Sequence, residues 1–235
     1  MPEFIEKVTR KLKRLAGFPQ GRFSYSQCGE DLIVNYIFGL RGIKFPTYID
    51  IGANDPHFLS NTAFFYRRNC RGINIEANPQ LIPKLKRFRR RDINLNMGVG
   101  SEEGEMDFYI LSDPTLSSFS KEEATQATAS GKITIADVQK IKLSTIEKII
   151  DTYCDGIFPD FLSIDVEGMD LDILHTIPFN RYWPKIICAE AAEYSPIGAG
   201  VRKNDLINFL VSKGYYEYAN TNLNAIMVKN EFWFI

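Results

Sequence analysis

The chain has 235 residues, enough for one large domain or a domain with an N-terminal extension, and it can bury a full core. Hydrophobic residues at 45% and charged residues at 24% are ordinary for a globular protein in water, and a net charge of −1 argues against general nucleic-acid binding. No run approaches the roughly 18 apolar residues of a membrane span, the start Met-Pro-Glu-Phe lacks a signal-peptide core, and the four cysteines show no zinc-ligand spacing, so a reduced cytoplasmic chain is expected.

Residues 3–15 place apolar side chains at 4, 5, 8, 12 and 15, the spacing of a helix with a basic opposite face. Such a helix packs on the domain or makes weak contact with an anionic membrane surface, and Gly17 and Pro19 end it, leaving residues 1–22 as an extension. From residue 23 a single domain is expected. A helix over Leu32–Phe38, capped near Ser26, precedes a first strand at about 47–51. A helix at 61–69, a strand at 72–76, a helix at 79–90 and a strand at 93–99 follow. This alternation is the pattern of a parallel sheet covered on both faces, an α/β fold.

Residues 101–142 interrupt the rhythm. Met106–Leu111 reads as a strand, and the Ser/Thr- and Ala-rich stretch after it, about 112–140, reads as an insertion or lid of poor internal order, because it has few large apolar residues to bury. A helix at 144–151, strands at 161–165 and 185–190 and a helix at 205–213 ending on Gly214 restore the alternation. Residues 215–219 and 225–229 read as a terminal hairpin, which a purely parallel nucleotide-binding sheet would not need.

In open α/β sheets ligands bind beyond the carboxyl ends of the strands. Asp50, Glu76, Asp165 and Glu190 lie at such ends. One acid there commonly caps a helix or pairs with a lysine, but four at one sheet edge point to a site. Gly52 lets a ligand approach the backbone, and Glu76 can accept hydrogen bonds from ribose hydroxyls. The G-x-G-x-x-G pattern is absent, as is a phosphate-cradling G-x-x-x-x-G-K-[ST] loop. A cofactor with a ribose and no phosphates fits better, S-adenosylmethionine foremost.

With these motifs the chain resembles the FkbM family of S-adenosylmethionine-dependent methyltransferases. The resemblance is carried by Tyr48-Ile-Asp-Ile-Gly-Ala-Asn-Asp-Pro, by Gly72-Ile-Asn-Ile-Glu-Ala-Asn-Pro, by Leu162-Ser-Ile-Asp-Val-Glu-Gly-Met-Asp, and by the lead-in Tyr25-Ser26-Gln27 with Gly29-Glu30-Asp31. It implies the class I methyltransferase fold, a seven-stranded sheet whose last strand is antiparallel, and O-methylation of sugar hydroxyls in polysaccharides, lipopolysaccharides or glycosylated metabolites. It also implies that Asp50, Gly52 and Asn54 form the cofactor turn, that Glu76 binds the ribose, and that Gln27 and Asp165 join the cofactor site. Pro56 stands where the turn usually has a second glycine.

A sugar hydroxyl is a poor nucleophile at neutral pH and needs a base, a metal or strong positioning beside the sulfonium. Asp165 and Glu167 point to the same side of an extended segment, with Glu190 on the neighbouring strand. These three are candidates for the base, and Asp165 with Glu190 are candidates to hold Mg²⁺. Glu167 can instead cap the helix after Gly168. His57, in the cofactor turn, is a further candidate base, although a plain loop role is expected; His175 is expected to be structural. The basic run Lys84–Arg91 reads as a solvated helix face, or else a contact for an anionic glycan, lipid head group or nucleotide-sugar. Tyr66 and Tyr194 are candidates to stack on a sugar. A non-catalytic cofactor- or glycan-binding module is the alternative function, and a nucleotide-dependent oxidoreductase is disfavoured by the missing glycines.

Overall fold

The computed structural model of the chain describes residues 15–16, 21–129, 131–166, 168–192 and 200–234. The expected N-terminal helix, apart from Leu15, and Tyr194 lie outside them. In chain order the elements are α1 (Glu30–Leu40), β1 (Tyr48–Ile51), α2 (Ala63–Arg67), β2 (Gly72–Glu76), α3 (Ile82–Phe88), β3 (Ile93–Asn96), β4 (Gly98–Val99), β5 (Gly104–Leu111) and α4 (Lys121–Thr128). Then come β6 (Ile135–Ser144), α5 (Ile146–Tyr153), β7 (Phe161–Ile164), α6 (Asp170–His175), β8 (Ile186–Glu190), α7 (Asn204–Ser212), β9 (Tyr215–Asn220), β10 (Asn224–Lys229) and α8 (Asn230–Trp233).

The main sheet has seven strands in the order β3-β2-β1-β7-β8-β10-β9. β3, β2, β1, β7 and β8 run parallel, and β10 is antiparallel to both β8 and β9. This is the class I methyltransferase arrangement, with the last strand of the chain reversed.

The central strands are short runs of β-branched residues because helices cover both faces. On one face Ile49, Ile51, Ile73, Ile75, Leu162, Ile164 and Ile187 pack against α5, α6 and α7. On the other, Tyr48, Phe161, Ile186, Cys188 and Ile226 pack against α1 and α2. That second face also buries charge. Arg89, 1% exposed, donates from Nε to Asp92 at 2.8 Å and from Nη2 to the Tyr48 and Thr62 hydroxyls at 3.0 and 2.9 Å. Fully ligated, the guanidinium ties α3 to β1 and α2.

Residues 101–142 carry more regular structure than their composition suggests. β5 and β6 pair antiparallel, and β4 joins β6 in parallel to make a three-stranded sheet. Phe108, Ile110, Phe119 and Ile141 give it a small core of its own, and Ala77, Leu143 and Met169 pack against that core. The expected third strand, 93–99, divides between the two sheets at Met97.

Candidate active site

Side chains alternate across a strand, so residues two apart share a face. Asp50 is in register with Asn74 on β2 and Ser163 on β7, and Ser163 with Cys188 on β8. Two residues on, Glu76, Gly52, Asp165 and Glu190 therefore form one row across the carboxyl ends of four strands. Asn224, paired with Glu190, extends that row onto β10. Glycine at its centre lets the ends of β1 and β7 come into backbone contact. Gly52 has φ +81, and a Cβ there would lie 1.9 Å from the Asp165 carbonyl oxygen.

The row floors a cavity of about 440 Å³, within the range of small-molecule sites. Gln27, Gly52, Asn54, Glu76, Asp165 and Glu190 all line it. Phe108, Leu116 and Phe119 of the small-sheet segment wall it on the β2 side.

Glu76 is 5% exposed, and each of its oxygens accepts one backbone N–H, from Asn54 and from Asn78, both at 2.7 Å. Burial pushes its carboxyl up to about 7, against the pull of those two donors. A carboxylate offers about four lone-pair sites, so two remain for a pair of hydroxyls.

Asp165 opens onto the cavity. The depth of the site and the Glu190 carboxylate push its carboxyl well above the usual range. The exposure of Asp165 itself moderates the first effect, and the repulsion from Glu190 persists. Glu190 is paired with Lys203, Nζ to Oε2 at 2.5 Å. Asp170 is 2% exposed, and burial together with Glu190 pushes it up to about 7, against the pull of nearby backbone N–H groups.

Three expectations need adjustment. Asp50 does not line the cavity: it sits one pleat repeat below the row, roughly 7 Å back along the strand. There its Oδ2 accepts from the Thr62 hydroxyl at 2.6 Å, and burial raises its carboxyl. It shapes the turn from beneath. His57 also lies off the cavity lining, its ring edge-on to Phe88 with centroids 5.6 Å apart. Burial and Arg89 lower its proton affinity, and its place off the cavity is what argues against it as the base. As for Asp165 and Glu190 as Mg²⁺ ligands, the described residues contain no group of three or more His, Cys, Asp or Glu side chains able to hold a metal. Lys203 already places an ammonium on Glu190, which a divalent cation would have to displace. Glu167 lies outside the described residues.

A family model, the methyltransferase FkbM domain, matches residues 50–216. The chain belongs to the FkbM methyltransferase family. A comparison with curated proteins finds no match. Among solved structures, the fold is similar to a Staphylococcus aureus protein provisionally assigned as a caffeoyl-CoA O-methyltransferase, at 12% identity over 95% of this chain and 91% of that one, with a TM-score of 0.50. Also similar is the Burkholderia thailandensis 1,6-didemethyltoxoflavin-N1-methyltransferase with bound 1,6-didemethyltoxoflavin and S-adenosylhomocysteine, at 11% identity over 97% and 88%, with a TM-score of 0.41. At these identities the likeness concerns the fold alone.

FkbM methyltransferases use S-adenosylmethionine, and this cavity suits it. The free lone pairs of Glu76 match a ribose diol, the bare Gly52 backbone admits close approach, and the apolar wall of Phe108, Leu116 and Phe119 suits a flat base. No helix among the described residues is long and apolar enough to cross a membrane.

Sequence reasoning passed over the two aromatic walls, Asn224 and Lys203. Phe108 and Phe119 had no local signal, because only the pairing of β5 with β6 turns them inward. Lys203 meets Glu190 through a long connection that no spacing rule anticipates.

Proposed function

We propose that this methyltransferase methylates a hydroxyl of a carbohydrate or glycoconjugate acceptor. The observation that carries the reading is the pair Asp165 and Glu190, side by side in the row and open to the cavity next to the bare Gly52.

When bound, S-adenosylmethionine supplies an electrophilic methyl group on its sulfonium. Glu76 accepts the ribose hydroxyls, and Gly52 with Asn54 shapes the turn against the rest of the cofactor. Asp165, whose affinity for a proton is raised, would take the hydroxyl proton of the acceptor as the new O–C bond forms and the methyl–sulfur bond breaks, leaving S-adenosylhomocysteine. Glu190, held by Lys203, orients that hydroxyl, and the lysine keeps the pair from accumulating two uncompensated charges. Transfer is direct and in line, with no covalent enzyme intermediate. Mg²⁺ enters no step, because the Lys203 ammonium already supplies the positive charge at Glu190. The basic N-terminal stretch is proposed to bring the enzyme weakly to an anionic surface, within a cytoplasmic setting.

The test is methyl transfer from S-adenosylmethionine to a panel of methyl glycosides, with and without EDTA. Transfer to an oxygen, insensitive to EDTA, is expected. Failure with every glycoside would sink the carbohydrate reading, and loss of activity with EDTA would restore the metal.

A further inference from the structure

Glu30, the first residue of α1, is fully buried and lies outside the cavity lining. Its carboxylate is saturated by donors. Oε2 accepts the Cys28 backbone N–H at 2.8 Å, and Oε1 accepts the Thr221 hydroxyl at 2.7 Å and the Asn224 Nδ2 at 3.0 Å. Burial alone would raise this carboxyl, but the Thr221 and Asn224 donors and the backbone N–H groups outweigh it and hold it low. An ionised carboxylate only accepts.

That fixes the Asn224 amide. Its NH₂ must face Glu30, so its carbonyl Oδ1 faces the other way. Asn224 lines the cavity, and among the described residues its side chain bonds through Nδ2 to Glu30. Its backbone partner on β8 is Glu190. Directly opposed residues of an antiparallel pair project together with Cβ atoms roughly 5 Å apart. A neutral acceptor of fixed orientation thus stands one side chain away from the carboxylate pair, on the side away from Glu76.

We propose that Asn224 Oδ1 receives a hydroxyl of the acceptor neighbouring the one that is methylated, and that Glu30 is the positioning residue holding it in that orientation. The inference deepens the carbohydrate reading and rests on it. It narrows the substrate class to vicinal diols, with one hydroxyl against Asp165 and Glu190 and the adjacent one donating to Asn224. A site built to pair a hydroxyl rejects the analogue lacking it, since the site's own polar atom is then left unpaired.

The experiment compares methyl glycosides with their single-deoxy analogues in wild type, Glu30→Gln and Asn224→Ser, with thermal melts and S-adenosylhomocysteine calorimetry on each protein. Glutamine at position 30 has an amide donor of its own and lets the Asn224 amide turn over, so Nδ2 replaces Oδ1 in the cavity. Wild type should prefer the diol over the analogue lacking the adjacent hydroxyl by about ten-fold in kcat/KM. In Glu30→Gln the preference should vanish through a rise in KM for the diol, with kcat and S-adenosylhomocysteine affinity near wild type. A purely structural role would instead lower the melt and disturb kcat and cofactor binding together. Asn224→Ser, which leaves the other donors of Glu30 in place, should lose the preference in the same way and decides the matter if Glu30→Gln does not fold. If wild type methylates no glycoside, the carbohydrate reading falls and this inference with it. Methylation by wild type with the diol preference unchanged in the variants overturns the inference alone.

Discussion

Gly52 and Asp165 meet backbone to backbone: a Cβ on Gly52 would stand 1.9 Å from the Asp165 carbonyl oxygen, at a φ of +81 that side chains avoid. The Asp165 backbone N–H in turn donates to the Ile51 carbonyl at 3.0 Å, which locks the two strand ends together. The cavity floor exists because these two residues touch.

Gly52→Ala should therefore act on both stability and binding. The left-handed backbone costs about 1–2 kcal/mol for a non-glycine residue, and overpacking adds about 1–3 kcal/mol. Chemical denaturation should show a loss of about 2–5 kcal/mol, and calorimetry should show S-adenosylhomocysteine affinity falling at least tenfold, roughly one strong hydrogen bond's worth. Wild-type affinity in a stably folded Gly52→Ala protein would contradict the close-contact account.

The pH dependence of stability is set by raised carboxyls, Glu76 and Asp170 at about 7, with Asp50 and Asp165 raised in the same sense. In the unfolded chain they titrate near their ordinary values of about 4. Between these limits the folded protein binds more protons than the unfolded one, so stability falls as pH rises from about 4 to about 7 and levels off above. Glu30 and Asp55, both held low, act in the opposite sense below that window. The melting temperature should decline from pH 5 to pH 7.5, and Glu76→Gln should show a shallower decline. Ribose hydroxyls donate to the ionised carboxylate, so S-adenosylhomocysteine should bind wild type more tightly as pH rises through 7. In Glu76→Gln that rise should be absent.

Asp165→Asn and Glu190→Gln address the reaction itself. Loss of a positioned base typically costs about 10²–10⁴-fold in rate, so Asp165→Asn should fall in that range in kcat while still binding S-adenosylhomocysteine. Glu190→Gln keeps the shape of the side chain but removes the charge that repels the Asp165 carboxylate. That should lower the proton affinity of Asp165 and shift the alkaline rise of the kcat profile to lower pH. His57→Ala should leave kcat near wild type. Full activity in both carboxyl variants would remove Asp165 and Glu190 from the mechanism.

Much of this was legible along the chain, for identifiable reasons. β1, β2, β7 and β8 are buried on both faces, so they appear as short isoleucine-rich runs broken only by Asp50, Asn74 and Ser163, and each ends near an acid or a glycine that the sheet edge exposes. β6 was not legible: Ile135–Ser144 is mostly exposed, with Asp137, Gln139, Lys140 and Lys142 among its residues, and only its ladder with β5 makes it a strand. The site divides similarly. Residue parity puts Glu76, Asp165 and Glu190 on one face, and all three reach the cavity. Parity also includes Asp50, but its depth below the row depends on where β1 ends relative to its neighbours, which spacing alone does not encode. Pairings across long connections, Glu190 with Lys203 and Glu30 with Asn224, leave no local pattern at all.

The buried Arg89 network bears on stability rather than chemistry. Arg89 and Asp92 have side chains 1% and 0% exposed, and the Tyr48 hydroxyl adds a donor to Asp92 Oδ2 at 2.6 Å. Removing one member of such a pair leaves a charge buried without its partner, which typically costs about 3–5 kcal/mol. Arg89→Met should lose about that much in urea denaturation, and because Thr62 and Asp50 hang on the same guanidinium, the turn carrying Gly52 should loosen with it. Replacing both partners removes the stranded charge, so Arg89→Met/Asp92→Leu should be more stable than Arg89→Met alone. Amide hydrogen exchange in β1 should follow the same order, slowest in wild type and fastest in the single variant. A double variant less stable than Arg89→Met would mean that the hydrogen bonds Asp92 accepts from Tyr48 and Gly72, rather than its charge, dominate the network.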